Sequence, residues 1–285
     1  MPAPSTSDRV TLDDGACVAF LQWALPRLGL RWAGYRRVRG TVRKRLRRRL
    51  RALGIGDLEA YRHQLCRDPA EWQWLQDACR IPISRFFRDR AVFTALADPV
   101  LPGLAQAAAT AGRDGLRIWS AGCAGGEEPY SLAILWRLGP GRELPGVAFR
   151  CLASDADAAM LARAEAGCYG SGSLRDVPAA WRAAAFVETD GQLCVRSAFR
   201  AGICFRQADL REDMPVGPFD LILCRNLAFT YFARDVQEAL LPKLAVRLRP
   251  GGVLVLGAHE RLPQTSPDLR PAAGALPLYR RTATG

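Results

Sequence analysis

The sequence predicts an α/β protein in which a small all-helical domain, residues 1–95, precedes a mostly parallel sheet with helices on its faces, residues 96–285. Three observations predict this architecture. A helical apolar period runs through the first part of the chain. After about residue 97, strand-like and helix-like segments alternate, which is typical of parallel sheets with crossover helices. At about residues 185–205 the helical period is lost, and this predicts a small antiparallel β insert.

A strongly basic segment lies in the helical domain. Ten of the sixteen residues from Arg36 to Arg51 are Arg or Lys. Apolar residues recur within or just after it every three or four positions, at Val38, Val42, Leu46, Leu50 and Leu53. This period predicts a helix with one buried face and arginines over the rest of its surface. Gly54 would end this helix, and Asp57 would cap the next one. Two further helices are predicted, through Leu58, Tyr61 and Leu65 and through Trp72, Leu75 and Ala78.

The second domain is predicted from short apolar runs that alternate with helical periods. The predicted strands are 116–120, 147–153, 219–224 and 252–257, and the predicted helices are 158–166 and 235–248. The insert contains Thr189-Asp190-Gly191-Gln192, a good hairpin turn, between two short apolar runs. These elements together give the strand–helix alternation from which the parallel sheet is inferred.

The composition indicates which metal sites and which cellular compartment to expect. Nine cysteines occur without a CxxC pair and only two histidines are present, so a disulfide framework, a structural zinc site and metal ligands are not expected. Cysteines in apolar runs are typical of small buried side chains, and a reducing cytoplasm fits them best. The chain has no apolar run of 18 or more residues and no basic start followed by an apolar stretch. A membrane span and a signal peptide are therefore not expected.

The clearest candidate binding segment follows the first predicted strand. Ile118-Trp119-Ser120 runs into Ala121-Gly122-Cys123-Ala124-Gly125-Gly126, and Glu127 and Glu128 open the next helix. Small residues let a backbone turn sharply and press against a ligand. A phosphate cradle would require amides and a lysine, whereas acidic side chains suit a ligand that carries positive charge.

A second candidate, Asp155, ends the next predicted strand in Ser154-Asp155-Ala156-Asp157. A carboxylate at this point of such a unit is placed to accept hydrogen bonds from both hydroxyls of a ribose. The alternative is that Asp155 or Asp157 simply caps the following helix. The distance from the glycine-rich segment favours the ribose interpretation.

In this order, the segments resemble the CheR family, chemoreceptor glutamate methyltransferases that use S-adenosylmethionine (SAM). The resemblance covers about residues 20 to 265. Its motifs are Ser84-Arg85-Phe86-Phe87-Arg88-Asp89, Trp119–Ser131 (WSAGCAGGEEPYS), Ala153–Asp157 with Gly167 and Tyr169, Phe219–Asn226 (FDLILCRN), Leu248–Gly252 and Gly257–Glu260. It implies a helical N-terminal domain, a Rossmann-like SAM-dependent methyltransferase domain and a small β insert.

The resemblance also implies the site residues. Those that would line the SAM pocket are Ser84, Arg88, Gly122, Glu127, Asp155, Asp209, Leu210, Cys224 and Arg225. Asp209-Leu210 stands where the family has Asn-Leu, and an aspartate could equally accept a hydrogen bond from the adenine amino group. Arg88 and Tyr231 would flank the transferred methyl group and are the catalytic candidates.

The chain departs from the family pattern at three places. Pro82 replaces a polar residue that helps to bind the cofactor, which removes one hydrogen bond. One extra residue lies between Cys224-Arg225-Asn226 and the tyrosine, so Tyr231 is a displaced counterpart. Gly257-Ala258-His259-Glu260 replaces Gly-His-Ser-Glu. The last two changes concern the expected acceptor side rather than the cofactor side.

The implied reaction is transfer of a methyl group to glutamate carboxylates of a chemoreceptor-like protein in bacterial chemotaxis. One alternative is a SAM-dependent enzyme of the same fold that acts on a small molecule or a nucleic acid. A hydroxyl or amine acceptor would call for a base, and His259 is the candidate for that role. Another alternative is a SAM-binding protein without turnover.

The net charge of +12 is concentrated in the arginine-rich helix, for which three interpretations remain. It is a solvated face without a partner, a docking surface for an acidic or glutamate-bearing protein, or a contact for nucleic acid. The family, whose basic N-terminal helix meets the methylated helices of the receptor, favours docking. No aromatic residues interleave with the arginines, and this disfavours single-stranded nucleic acid. A monomer without membrane insertion is the default expectation.

Overall fold

The computed structural model describes residues 12–272 and 274–282, and the chain forms two compact units. The first unit contains the chain up to Ile81 together with Thr230–Arg234, and the second contains Pro82–Phe229 and the chain from Asp235 onward. The structure divides the chain after Ile81, whereas the sequence prediction placed residues 82–95 with the helical domain. Phe86 and Phe87 are buried in the hydrophobic core of the second unit, and packing of these side chains draws residues 82–95 into it. The expectation about a signal peptide concerns residues that lie mainly outside the described ones.

The first unit is helical, as predicted. Its helices are α1 (Asp14–Arg27), α2 (Trp32–Tyr35), α3 (Arg39–Leu53), α4 (Leu58–Arg67) and α5 (Pro69–Ala78). In the basic helix α3, Val42, Leu46 and Leu50 are buried, and the helix ends at Gly54 with a φ of 66°. The Asp57 side chain accepts a hydrogen bond from the Ala60 N–H and caps α4. The caps and the apolar stripe of α3 are thus confirmed.

A buried carboxylate ties three helices of the first unit together. Glu71 in α5 is 1% exposed, and it accepts hydrogen bonds from the Arg49 guanidinium of α3 (2.6 and 2.9 Å) and from the Tyr61 hydroxyl of α4. Burial alone would raise the pKa of Glu71, but these hydrogen bonds outweigh it and lower that pKa. The carboxylate therefore stays ionised inside the unit because its donors replace water.

We expect Glu71→Gln to lower the free energy of unfolding by about 1–3 kcal/mol, because charge-assisted hydrogen bonds from Arg49 and Tyr61 are lost at a buried position. Urea unfolding at neutral pH measures this change. Glu59→Gln is the matched control, since the Glu59 side chain is 70% exposed and its described ion pair is with Arg62 of the same helix. Equal stability of the two variants would contradict a structural role for Glu71.

The second unit is built on a seven-stranded sheet. Its helices are α6 (Arg90–Ala95), α7 (Leu101–Thr110), α8 (Glu127–Leu138), α9 (Ala158–Ala166), α10 (Ala179–Ala185), α11 (Ser197–Arg200), α12 (Ala228–Tyr231, whose last two residues belong to the first unit) and α13 (Arg234–Ala245). Its strands are β1 (Gly115–Ala121), β2 (Ala148–Asp155), β3 (Cys168–Tyr169), β4 (Phe186–Thr189), β5 (Gln192–Val195), β6 (Ile203–Gln207), β7 (Phe219–Leu223), β8 (Leu248–Val255), β9 (Leu269–Pro271) and β10 (Leu278–Arg281).

The order of the large sheet is β6-β2-β1-β7-β8-β10-β9. The first five strands are parallel, and β10 runs antiparallel to both β8 and β9. From β1 the chain proceeds to β2 and β6 on one side and then to β7 and β8 on the other. The strand order therefore reverses between β1 and β7, and the carboxyl ends of these strands form the crevice where such sheets bind ligands. The mostly parallel Rossmann-like sheet is confirmed.

The β insert is larger than predicted at its start and shorter at its end. A three-stranded antiparallel sheet, β3-β5-β4, is formed within residues 168–195, whereas residues 203–205 belong to β6 at the edge of the large sheet. Cys168 and Cys194 are paired across β3 and β5 and form a disulfide. The expectation that the cysteines stand alone is therefore wrong for this pair, because the insert brings together residues 26 positions apart.

Most of the free cysteines are buried, as the sequence interpretation expects, whereas Cys66 and Cys204 are exposed. Burial raises the pKa of Cys17 to about 11 and that of Cys79 to about 12, so both thiols stay protonated at neutral pH. Within the described residues, no group of three or more His, Cys, Asp or Glu side chains is arranged to hold a metal ion.

One stretch, Arg90–Thr110, is long and apolar enough to cross a membrane by length and composition alone. It joins α6 and α7 through a π-helical turn at Leu96–Val100. Val92, Leu96, Leu101 and other apolar side chains of this stretch are buried in the core of the second unit. No single apolar run in the sequence indicated this candidate, because polar residues interrupt it.

Candidate functional site

The predicted cofactor residues of the second unit gather at the carboxyl ends of the parallel strands. Gly122 follows β1, Asp155 ends β2, Asp209 and Leu210 follow β6, and Cys224 follows β7. The loop after β2 is joined to the one after β6, since the Ala208 N–H donates to the Asp155 carbonyl (3.0 Å). Residues from four separate strand ends thus lie at the same edge of the sheet.

The glycine-rich turn after β1 is held by backbone contacts. Gly122 has a φ of 80°, and a methyl group in place of its hydrogen would lie 2.4 Å from the Leu227 side chain. The N–H groups of Gly122 and Cys123 both donate to the Ser154 carbonyl, at 2.7 and 2.9 Å. Only glycine meets both the left-handed conformation and the close approach. The sequence argument for a sharp, unbulky turn at this point therefore has a direct structural reason.

Asp155 organises the same turn. One carboxylate oxygen accepts from the Ala124 N–H (2.8 Å) and the other from the Asp157 N–H (2.9 Å). Asp157, not Asp155, caps α9 by accepting from the Ala159 and Met160 N–H groups. The capping alternative thus belongs to Asp157, and Asp155 is left as a half-buried carboxylate at the end of β2.

Glu127 is completely buried at the start of α8, behind the glycine-rich turn. Its Oε1 accepts a hydrogen bond from Arg163 of α9 at 2.7 Å. Its Oε2 is buried and, among the described residues, has no hydrogen-bond partner. A buried carboxylate oxygen without a donor is costly, so it points to a donor that belongs to a ligand.

Glu128 has a different role from Glu127. It accepts from the Ser120 hydroxyl (2.7 Å) and from the Arg225 guanidinium (2.8 Å). Arg225 is 3% exposed and also donates to the Asp89 carboxylate (2.9 Å) and to the Arg88 carbonyl (2.6 Å). The two adjacent glutamates therefore have different roles. Among the described residues, both oxygens of Glu128 have a donor, whereas Oε2 of Glu127 has none and is left for a cation.

The Arg225 guanidinium controls the charge of Asp89. Burial would raise the pKa of Asp89, but the charge of Arg225, the N–H of Ala258 and the charge of Arg88 together lower it. Asp89 is therefore ionised at neutral pH, and it links Arg225 to the loop after β8. Sequence reasoning assigned Arg225 to the pocket, whereas its described contacts are with Glu128, Asp89 and the Arg88 backbone.

Arg88 lies in a turn with an unusual backbone. Its neighbours Phe87 and Asp89 have φ values of 52° and 65°, and its own side chain donates to the Ile83 carbonyl at 2.6 Å. Left-handed conformations of such residues are strained and tend to occur at functional sites. Ser84, half-buried, lies in the same turn. Arg225 holds this turn in place by donating a hydrogen bond to the Arg88 carbonyl.

Asp209 is engaged by a neighbouring cation. Its Oδ1 accepts from the N–H and Nε of Arg211 at 2.9 and 3.0 Å, and its Oδ2 accepts from Nη2 at 2.7 Å. This pairing holds the aspartate in one orientation and partly neutralises it. Leu210 beside it is buried. No motif in the sequence indicates the Arg211 contact.

The loops after β7 and β8 are joined by another buried carboxylate, Glu260. It accepts from the N–H groups of Asn226 (2.8 Å) and Gly257 (2.6 Å), and Asn226 itself has a φ of 55°. Cys224, at the end of β7, is completely buried, and burial raises its pKa, so it is a packing residue rather than a nucleophile. His259 lies exposed in the loop after β8.

Tyr231, the remaining catalytic candidate, belongs to the first unit. Its ring packs against Tyr35 with centroids 5.2 Å apart, and its carbonyl accepts from the Arg31 N–H at 2.8 Å. Gly34 permits this packing, because a methyl group there would lie 2.4 Å from the Thr230 carbonyl oxygen. The position of Tyr231 is thus set by contacts inside the helical unit.

Comparison with known proteins agrees with this geometry. Residues 83–274 match the family described as CheR methyltransferase, SAM binding domain, and residues 20–78 match CheR methyltransferase, all-alpha domain. The chain belongs to the CheR methyltransferase family. The two matched ranges lie on either side of Ile81, where the structure divides the chain, although the longer range also includes Thr230–Arg234 of the first unit.

Relatives of this CheR chain include proteins of different lengths. A chemotaxis protein methyltransferase of Klebsiella aerogenes is 34% identical over 92% of this chain and 88% of its own length. One of Listeria monocytogenes is 38% identical over 64% of this chain and 66% of its own length. An uncharacterized 104.1 kDa protein of Rhodobacter capsulatus is 34% identical over 86% of this chain, which spans only 26% of that protein.

The cofactor of the CheR SAM-binding domain is SAM, and the residues present fit it. The unpartnered, buried Oε2 of Glu127 suits an ammonium group, and the crevice at the switch point of the sheet suits an adenosine. The contacts that sequence reasoning missed are those of Arg163, Arg211, Asp89 and Glu260. Each of them joins distant strand ends, and no local motif signals such a pair.

Proposed function

We propose that this protein is a SAM-dependent methyltransferase that converts glutamate carboxylates of a chemoreceptor-like protein into methyl esters in the cytoplasm. The observation that carries the proposal is the buried Glu127, whose free oxygen lies behind a glycine-rich turn at the carboxyl edge of the sheet. A cationic methyl donor matches this acidic position. The names of the Klebsiella and Listeria relatives support chemotaxis as the context.

The proposed cofactor site assigns a role to each predicted residue. Glu127 would accept hydrogen bonds from the donor's ammonium group, and Asp155 from the ribose hydroxyls. The Gly122 turn would allow close approach, and Leu210 with the Asp209 side chain would hold the adenine. Ser84 and Arg88 would lie next to the methyl group of SAM. Cys224 and Arg225 would pack behind the residues that line the SAM pocket.

The proposed reaction makes few chemical demands on the protein. Bound SAM supplies an electrophilic methyl group on a sulfonium. A glutamate acceptor is already ionised at neutral pH, because its ordinary pKa is about 4.3, so no general base is required. The tasks left to the chain are to align the acceptor oxygen and to remove water from it. We assign the holding of the carboxylate to Arg88 and the orientation of the acceptor to Tyr231.

The basic helix α3 is the proposed docking surface for the acidic substrate. Several of its cations serve the fold: Arg39 and Arg43 pair with Asp14, and Arg49 with Glu71. A second set is exposed and has no described ion pair, namely Lys44, Arg48 and Arg51. Their spacing of four and three positions places them on one side of the helix. This division supports a partner surface over a merely solvated face.

Transfer of a radiolabelled methyl group tests the proposed function. The purified chain, labelled SAM and the cytoplasmic domain of a chemoreceptor from the same organism should yield label on the receptor that mild base releases as methanol. Base-stable label would instead indicate an O-, N- or C-methyltransferase with another acceptor. SAM binding without any transfer would indicate a non-catalytic binding protein. Replacing the receptor's acceptor glutamates by alanine is the control.

A further inference from the structure

We propose that Arg163 is a positioning residue for the cofactor: it fixes the buried Glu127 carboxylate so that Oε2 faces the amino-acid end of the donor. The inference rests on the proposed cofactor role of Glu127. It concerns a residue outside the motifs from which the site was predicted, in the last turns of α9.

The contact between the two side chains is direct and asymmetric. Arg163 Nη2 lies 2.7 Å from Glu127 Oε1, and no described residue donates to Oε2. Glu127 is completely buried, whereas the Arg163 side chain is 39% exposed. One oxygen is therefore neutralised by the protein, and the other is held in place with its hydrogen-bonding capacity unspent. A carboxylate in this state requires a second donor.

The glycine-rich turn is shaped around this ion pair. A methyl group added at Gly125 would lie 3.0 Å from Glu127 Oε2 and 3.2 Å from Arg163 Nη1. Gly125 therefore leaves room for both charged groups next to the turn. The same turn is held by Tyr169, whose hydroxyl donates to the Gly125 carbonyl at 2.6 Å.

Two neighbouring side chains, Tyr169 and Ser173, contact the Arg163 guanidinium. Its guanidinium lies 5.2 Å from the centre of the Tyr169 ring, and Nη2 is 3.4 Å from the Ser173 hydroxyl. A cation over an aromatic face loses little freedom when it also pairs with a carboxylate. Without Arg163, the buried Glu127 carboxylate would lose its one described side-chain donor. Its orientation would then no longer be fixed, and its Oε2 would be less well placed to accept from an ammonium group.

Two ligands separate this role from general support of the fold. S-adenosylhomocysteine and 5′-methylthioadenosine are both neutral at sulfur, but only the first carries an amino-acid group. We expect Arg163→Gln to weaken S-adenosylhomocysteine binding about tenfold or more and to change 5′-methylthioadenosine binding less than about twofold, as measured by calorimetry. Arg163→Lys should recover most of the loss, since a point charge can still pair with Oε1.

The control variant is Arg182→Gln, which removes an exposed arginine of α10 and should leave both affinities unchanged. Equal weakening of both ligands by Arg163→Gln would mean that Arg163 only supports the fold, and no weakening would also overturn the inference. If Arg163→Gln does not fold, the ratio of the two affinities in Arg163→Met, which also removes the charge, decides in the same way, because an unchanged ratio contradicts the inference.

Glu127→Gln distinguishes failure of this inference from failure of the proposed site. If Glu127→Gln leaves S-adenosylhomocysteine affinity unchanged, Glu127 does not bind the amino-acid end and the proposed site itself is wrong. If Glu127→Gln weakens that ligand selectively but Arg163→Gln does not, the site stands and only the role of Arg163 is refuted.

Discussion

Replacing Arg225 by methionine should lower the free energy of unfolding by about 3–5 kcal/mol, because the change leaves the carboxylates of Asp89 and Glu128 without the cation that they share. Methionine keeps much of the volume of the side chain, so lost packing contributes little. Arg225 also donates to the Arg88 carbonyl, and the variant should therefore lose activity even where it is folded. Denaturant unfolding at neutral pH measures the first effect.

The pH dependence of the free energy of unfolding shows whether the ion pair of Asp89 with Arg225 is the cause of the loss. Because the folded pKa of Asp89 is lowered, its contribution to stability is present above the ordinary aspartate pKa of about 3.9 and is lost as the pH falls through the folded value. The wild-type protein should lose this part of its stability in acid, and Arg225→Met should lose less. Arg150→Met, which removes an exposed arginine paired with exposed Asp114, is the control and should be nearly as stable as wild type. A small effect at Arg225 would show that the network is not structural.

Replacing Arg88 by alanine should reduce turnover about 100-fold or more while changing SAM affinity much less. The proposed role of Arg88 is to hold the acceptor carboxylate, and loss of one preorganised charged donor at the reacting group has an effect of this size. Initial rates with receptor as the varied substrate, together with calorimetric SAM binding, measure both quantities.

The matched control for this experiment is Arg90→Ala, two residues away, where the arginine is exposed. Thermal unfolding of Arg88→Ala shows whether the variant is folded, so that a loss of turnover can be separated from a loss of stability. Full activity of Arg88→Ala would refute its assigned role. Equal losses of activity in both arginine variants would mean that general charge, rather than a specific contact, is being measured.

Local patterns were sufficient for most of the fold. The helical period of α3, the cap at Asp57 and the alternation of strands and helices depend on residues a few positions apart, and the structure contains them where the sequence predicts them. The sequence did not indicate to which unit residues 82–95 belong, because the packing of Phe86 and Phe87 into the core of the second unit is a tertiary contact. The Cys168–Cys194 bond was missed since strand pairing in the insert, not spacing, brings the two together.

For the candidate site, as for the fold, some features follow from the sequence and others only from the tertiary structure. The sequence by itself determined the small residues of the turn, the acidic start of α8 and the carboxylate at the end of β2, because steric freedom and charge are properties of the residues themselves. Only the tertiary structure decided which glutamate remains available. Glu127 and Glu128 are adjacent and chemically equal, but Arg225 and Ser120 satisfy one while Arg163 leaves an oxygen of the other unpaired. The physical reason is that this pairing depends on cations from strands and helices that are distant in the sequence. Local sequence patterns do not indicate which of these cations lie close to each glutamate in the fold.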